Sequence, residues 1–298
     1  MRLLAYAFGM VIGASVLGAC ASSASHAQDE PVIPDGPPPS YEVAASEYNE
    51  RLRYHDRVWA RAIVQVRAQP PGEDEKRQQA EGFLQIARPS DVALQLGKLG
   101  DTLFYLGSDD DRYWWFDLSG DQKLAVIGTH DRAGPETAGR LGIPVHPLEL
   151  VGLLGFEPLP DSGGSTLWGA DGSLVIEAPG IWGSTRRIET DAQTGRTLRS
   201  MLVNVSDEIL VSAEYDGQQE LFVEGANLGV ATVPERYLIR VPGEHAEIRL
   251  VLNGAENRDL RAAAFDLDGL LRRFRVDQVI DLDEPPAPLE PRAGGVGE

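Results

Sequence analysis

In the stretch RVWARAIVQVR, residues 57–67, the apolar set Val58, Ala60, Ala62, Val64 and Val66 alternates with Trp59, Arg61, Ile63 and Gln65. Successive side chains of a strand point to opposite faces, so this period of two predicts a strand with one face in a core. EGFLQIAR, DVALQLGKL, DTLFYLGS, RYWWFDL and KLAVIGTH follow in the same style, separated by turn residues at short intervals. Consecutive strands joined by tight turns form an antiparallel meander. The pattern breaks at VHPLELVGLLGFEP, where Pro147 opens a predicted helix and Leu148, Leu150, Val151, Leu153 and Leu154 are apolar nearly all round. Gly152 and Gly155 weaken that helix in isolation and leave it free to move. A second block of strands then reads GSLVIEA, RRIETDAQTGRTLRSMLVNV with a turn near Thr194-Gly195, EILVSAEY, ERYLIRV, AEIRLVLNG and AAAFDL. Ahead of the first strand, Ser40 is an N-cap for a helix carrying Tyr41, Ala44, Ala45, Tyr48 and Leu52 at helical spacing. The expected fold is mainly β, a single large curved antiparallel sheet with helices over one face.

The first residues have a different grammar. MR supplies a short positive region, and LLAYAFGMVIGASVLGA is an apolar stretch that ends at Cys20, the only cysteine of the chain. That is the build of a signal peptide over residues 1–19, and the run is short for a retained membrane span. A single thiol forms no internal disulfide and completes no metal cluster of cysteines. Leu17-Gly18-Ala19-Cys20 resembles a bacterial lipobox, which implies cleavage before Cys20 and acylation of its sulfur. Each buried methylene adds about 0.8 kcal/mol, so two or more chains anchor stably. Ala21 stands where an inner-membrane retention aspartate would be, so the expected address is the cell envelope, at the outer membrane and facing the periplasm. Residues 20–40, rich in small, acidic and proline residues, read as a tether to that anchor. Residues 285–298 read as a disordered tail, leaving 41–284 as one domain. With a net charge of −19, the chain suits neither nucleic acid nor electrostatic adhesion to anionic lipid. Membrane contact is expected through the lipidated cysteine alone.

No motif marks a catalytic centre. FDLDGLL resembles the aspartate pair of haloacid-dehalogenase-like phosphatases, with Asp266 as nucleophile and Asp268 as its partner. Almost no chain follows it, so it reads as a strand end and an aspartate-glycine turn. The carboxylates of SDDDRYWWFD lack calcium-loop spacing and read as a solvated turn. His26, His55, His130, His146 and His245 show no metal-ligand spacing and read as surface or loop residues. The expectation is a protein that is not an enzyme, with no cofactor and no metal.

The order of elements, from lipidated cysteine through tether, helix and meander to an apolar helix and more strands, resembles the periplasmic lipoprotein carrier and receptor family, LolA/LolB-like. The stretches TDAQTGRTLRS, EILVSAEYDGQQ, VATVPERYLIRVPGEHAEIRLVLNGAENRDL and AAAFDLD carry the likeness best. The resemblance implies a half-open β-barrel whose concave face is covered by helices and binds a lipid or lipoprotein acyl chain. Inward positions on the alternating strands are Val64, Leu84, Leu94, Phe104, Trp115, Val211, Ile239 and Leu250, with Leu150, Val151 and Leu154 as a lid. The other function class is a non-catalytic envelope scaffold of the same fold, with a protein partner.

Overall fold

The computed structural model of the chain describes residues 34–69, 74–134, 148–226, 229 and 231–284. The signal segment, Cys20, Pro147, His26, His146 and the 285–298 tail lie outside them. Ser40 caps helix α1 (Tyr41–Arg51), its side chain accepting from the Val43 N–H, and Tyr41, Ala44, Ala45 and Tyr48 are buried as their spacing requires. A meander follows, with β1 (Arg57–Ala68), β2 (Lys76–Ala87), β3 (Asp91–Lys98), β4 (Asp101–Ser108), β5 (Arg112–Asp117) and β6 (Leu124–Thr129). Helix α2 (Glu149–Leu153) interrupts. Then come β7 (Ser165–Trp168), β8 (Leu174–Pro179), β9 (Thr185–Thr190), β10 (Thr197–Val203), β11 (Ile209–Glu220), β12 (Phe222–Val223), β13 (Thr232–Val241) and β14 (Ala246–Asn257), with helix α3 (Leu267–Phe274) and β15 (Gln278–Asp281) last.

These strands form one open, curled sheet in the order β15-β6-β5-β4-β3-β2-β1-β14-β13-β11-β10-β9-β8-β7, with β12 paired to β14. Its pairings are antiparallel except β15 on β6 and β12 on β14. Register puts like faces together: Val64 lies opposite Ala80 and Leu250, Leu84 opposite Leu94, and Leu96 opposite Phe104. The parity read from the sequence therefore becomes a continuous apolar inner face, on which α1 and α2 sit. No helix among the described residues is long and apolar enough to cross a membrane.

The outer face is built differently at its two ends. From β8 to β14 it is solvated and carries cross-strand ion pairs, Arg187 with Glu177, Arg199 with Glu189, Arg240 with Glu214 and Arg236 with Asp216, at 2.5–2.9 Å. Half-exposed pairs of this kind contribute about 0.2–1 kcal/mol each. Over β3 to β6 the outer face is covered instead. Ala93, Tyr105, Trp114, Phe116 and Ala125 pack against Leu267 and Leu270 of α3. The AAAFDL segment, expected as a strand, is a 3-10 turn at Ala262–Ala264 leading into that helix. Asp266 accepts the Gly269 N–H, and Leu267, Leu270, Leu271 and Phe274 fall at helical spacing, so local capping and a second apolar surface prevail over strand propensity.

Candidate functional site

The inner face brings the sequence-predicted positions together. Val64, Leu84, Val151 and Leu250 share one buried cluster, against which Leu94, Phe104, Leu154 and Ile239 pack half-buried. Trp115 stacks on Phe104 with ring centroids 6.2 Å apart. Val211 joins Leu153 in the adjoining cluster, where Leu150 and Ile239 also pack. Ile239 thus links the two clusters, and the inner face is contiguous from β5 to β11.

Helix α2 covers this surface but is far too short to persist alone, since isolated helices need about 12–15 residues. It is shorter than the predicted 147–155 span because Gly155 takes a left-handed φ of +77° and closes it. The Phe156 N–H reaches the Val151 carbonyl and the Gly155 N–H that of Gly152, a Schellman ending. Contacts outside the helix hold it down. The buried Glu149 carboxylate accepts from the Ile181 N–H at 2.6 Å and the Ser184 hydroxyl at 2.7 Å, and the Tyr215 phenol donates to the Leu153 carbonyl at 2.6 Å. Leu153 and Phe156 are 1% and 0% exposed, each contributing about 1.5–3 kcal/mol by burial.

The strap that follows is pinned by α1 and by a buried cation. Asn49 exchanges two hydrogen bonds with the Leu159 backbone at 2.7 and 2.9 Å, and the Tyr41 phenol donates to the Pro160 carbonyl at 2.8 Å. Arg186, on the inner face of β9, donates to Glu157 at 2.6 Å. A Cβ at Gly152 would collide with the Arg186 guanidinium and the Glu157 carboxylate. Gly152, expected as a point of movement, instead permits this close approach. Burial pushes the phenols of Tyr48, Tyr215 and Tyr237 above their ordinary value, so all three are neutral donors at physiological pH.

Sequence reading missed Glu149, Glu157, Arg186, Ser200, Tyr215 and Tyr237 as members of this region. For Arg186 a signal existed: it shares parity with the core residue Ile188, so one charge of the Arg186-Arg187 pair had to face inward. The other motifs are structural. Asp109 accepts the Asp111 and Arg112 N–H groups within its turn. His55, expected as a surface or loop residue, lies in the loop after α1 but is buried, with its Nε2 3.0 Å from the Thr232 carbonyl. It closes the core where α1 ends.

No family model matches the chain, and no curated protein matches it. Among solved structures, a DUF1329 family protein from Desulfovibrio piger superposes with a TM-score of 0.51 at 12% identity, covering 77% of this chain and 97% of that one. A LolA superfamily protein from Nitrosomonas europaea matches at a TM-score of 0.48 and 12% identity, covering 78% of this chain and 99% of that one. At such identities the likeness is one of fold alone, an open curled sheet with helices seated on its inner face, shared with the Desulfovibrio piger protein.

Proposed function

We propose that the protein is an envelope lipoprotein that binds a hydrophobic ligand, the acyl chain of a lipid or lipoprotein, on the inner face of its half-barrel. Cys20 carries the anchor, residues 20–40 the tether, 41–284 the binding domain and 285–298 a tail. The observation that supports this most is the lid: an apolar helix of five residues, held by side-chain clamps at its ends, over a continuous apolar face. A five-residue helix that cannot persist alone opens at less cost than a long packed helix. The half-buried Leu94, Phe104, Leu150, Leu154 and Ile239 are the surface an entering chain meets first, with Val64, Leu84, Trp115, Val151, Val211 and Leu250 beneath.

The test is Leu150→Glu, read by equilibrium binding of a fluorescent acyl probe and by thermal unfolding. Binding should weaken about tenfold or more, because a charge at the lid opposes an apolar chain, while stability falls by a smaller factor. Equal losses would mean that Leu150 serves a filled core. The near-complete burial of Leu153 and Phe156 favours a second reading, a non-catalytic scaffold with an envelope protein partner. Failure of the parent protein to bind any acyl probe would select it.

A further inference from the structure

One group of side chains is at odds with the apolar surface around it. Ser200 on β10 and Tyr237 on β13 are 1% and 2% exposed, and the Tyr237 hydroxyl has no hydrogen-bond partner among the described residues. Buried polar groups in native proteins are nearly always paired, since an unpaired one carries its full desolvation penalty. The two do not stand alone. Tyr237 lies opposite Tyr215 in register, rings 5.2 Å apart and tilted 67°, and the Ser200 hydroxyl interacts with the Tyr215 phenol, whose own proton goes to the Leu153 carbonyl. On the next strand Arg186 lies opposite Leu202, two residues from Ser200 and on the same face. A polar row therefore crosses β9, β10, β11 and β13, directly under α2, to which Tyr215 donates.

We propose that this row is a head-group subsite, in which Ser200 and Tyr237 donate hydrogen bonds to the carbonyl oxygen of an acyl ester once α2 lifts. It rests on the acyl-ligand reading above and names the chemical class of that ligand. Hydroxyl and phenol both offer a proton, so the group they recognise is an acceptor. The same burial that keeps the Tyr237 phenol protonated preserves it as a donor. Charge selects the ester over the free acid. Arg186, the cation of the row, is already neutralised by Glu157 at 2.6 Å, so a carboxylate would bring an unpaired negative charge into a dry site, whereas an ester carbonyl would not. The hydrocarbon then runs along the inner face toward Leu94 and Phe104.

The experiment compares three probes of equal chain length on the purified full chain near neutral pH: dodecylpyrene, the methyl ester of pyrenedodecanoic acid, and the free acid. The parent should bind the ester about tenfold more tightly than the hydrocarbon, and the acid less tightly than the ester. Ser200→Ala combined with Tyr237→Phe should abolish the ester preference and leave hydrocarbon binding unchanged, and Tyr237→Phe by itself should not lower the melting temperature, since it removes an unpaired buried hydroxyl. Tyr237→Phe alone, the milder variant, should reduce the preference about threefold. Equal binding of ester and hydrocarbon by the parent, or a preference that survives the double variant, overturns the subsite and leaves the acyl-ligand reading standing. Tighter binding of the acid overturns the neutral head group. No binding of any probe by the parent removes the acyl-ligand reading and the subsite with it.

Discussion

His55 shows how one buried titratable side chain sets a pH dependence. Its Nε2 donates to the Thr232 carbonyl at 3.0 Å, and burial holds its imidazole below the ordinary value. An unfolded histidine titrates near about 6.5. The folded value is depressed, so its contribution is complete above about pH 6.5 and is lost as pH falls through that value toward the folded one. The melting temperature should therefore drop between about pH 7.5 and pH 5.5, and His55→Gln should flatten that drop. Equal pH slopes in parent and variant would show that other groups carry it. None of this was legible in the residue itself. A lone histidine after a helix has no local mark of burial, which comes from the Thr232 segment 177 positions away.

At the scale of the element, α3 depends on its first residue. Asp266 accepts the Gly269 N–H, and the apolar side of the helix packs on Tyr105, Trp114 and Phe116. Asp266→Ala should destabilise the protein by about 1 kcal/mol in urea unfolding, while Asp266→Asn, which retains a capping oxygen, should change it by only a few tenths. Similar losses in both variants would refute the capping role. The helix was within reach of the sequence, since Leu267, Leu270, Leu271 and Phe274 recur at i, i+3, i+4 and i+7. The apolar run AAAF before them reads equally well as a strand, and short apolar runs are ambiguous by periodicity. For α2 the apolar character gave the right expectation of a cover. Its five-residue length follows from Gly155 at a left-handed φ and from the clamps at Glu149 and Arg186.

For the whole molecule, the proposed attachment to the membrane runs through Cys20, since a net charge of −19 does not suit electrostatic adhesion to anionic lipid. Cys20→Ser should move the protein from the membrane to the soluble fraction on cell fractionation, and a variant that stays membrane-bound and is processed normally would refute the anchor. The alternation in RVWARAIVQVR and its successors by itself determined that the chain forms strands, which residues share a face, and that the result is one large sheet. Side-chain parity is a local property of an extended backbone, so it can be read one residue at a time. Only the tertiary structure decided that β14 lies beside β1, that β15 adds in parallel to β6, and that α3 covers the outer face of β3 to β6. It alone set Arg186 against Glu157 and gathered Ser200, Tyr215 and Tyr237 beneath α2. Those neighbours come from strands far apart in the chain, and their meeting depends on strand order and curl, which no local pattern encodes.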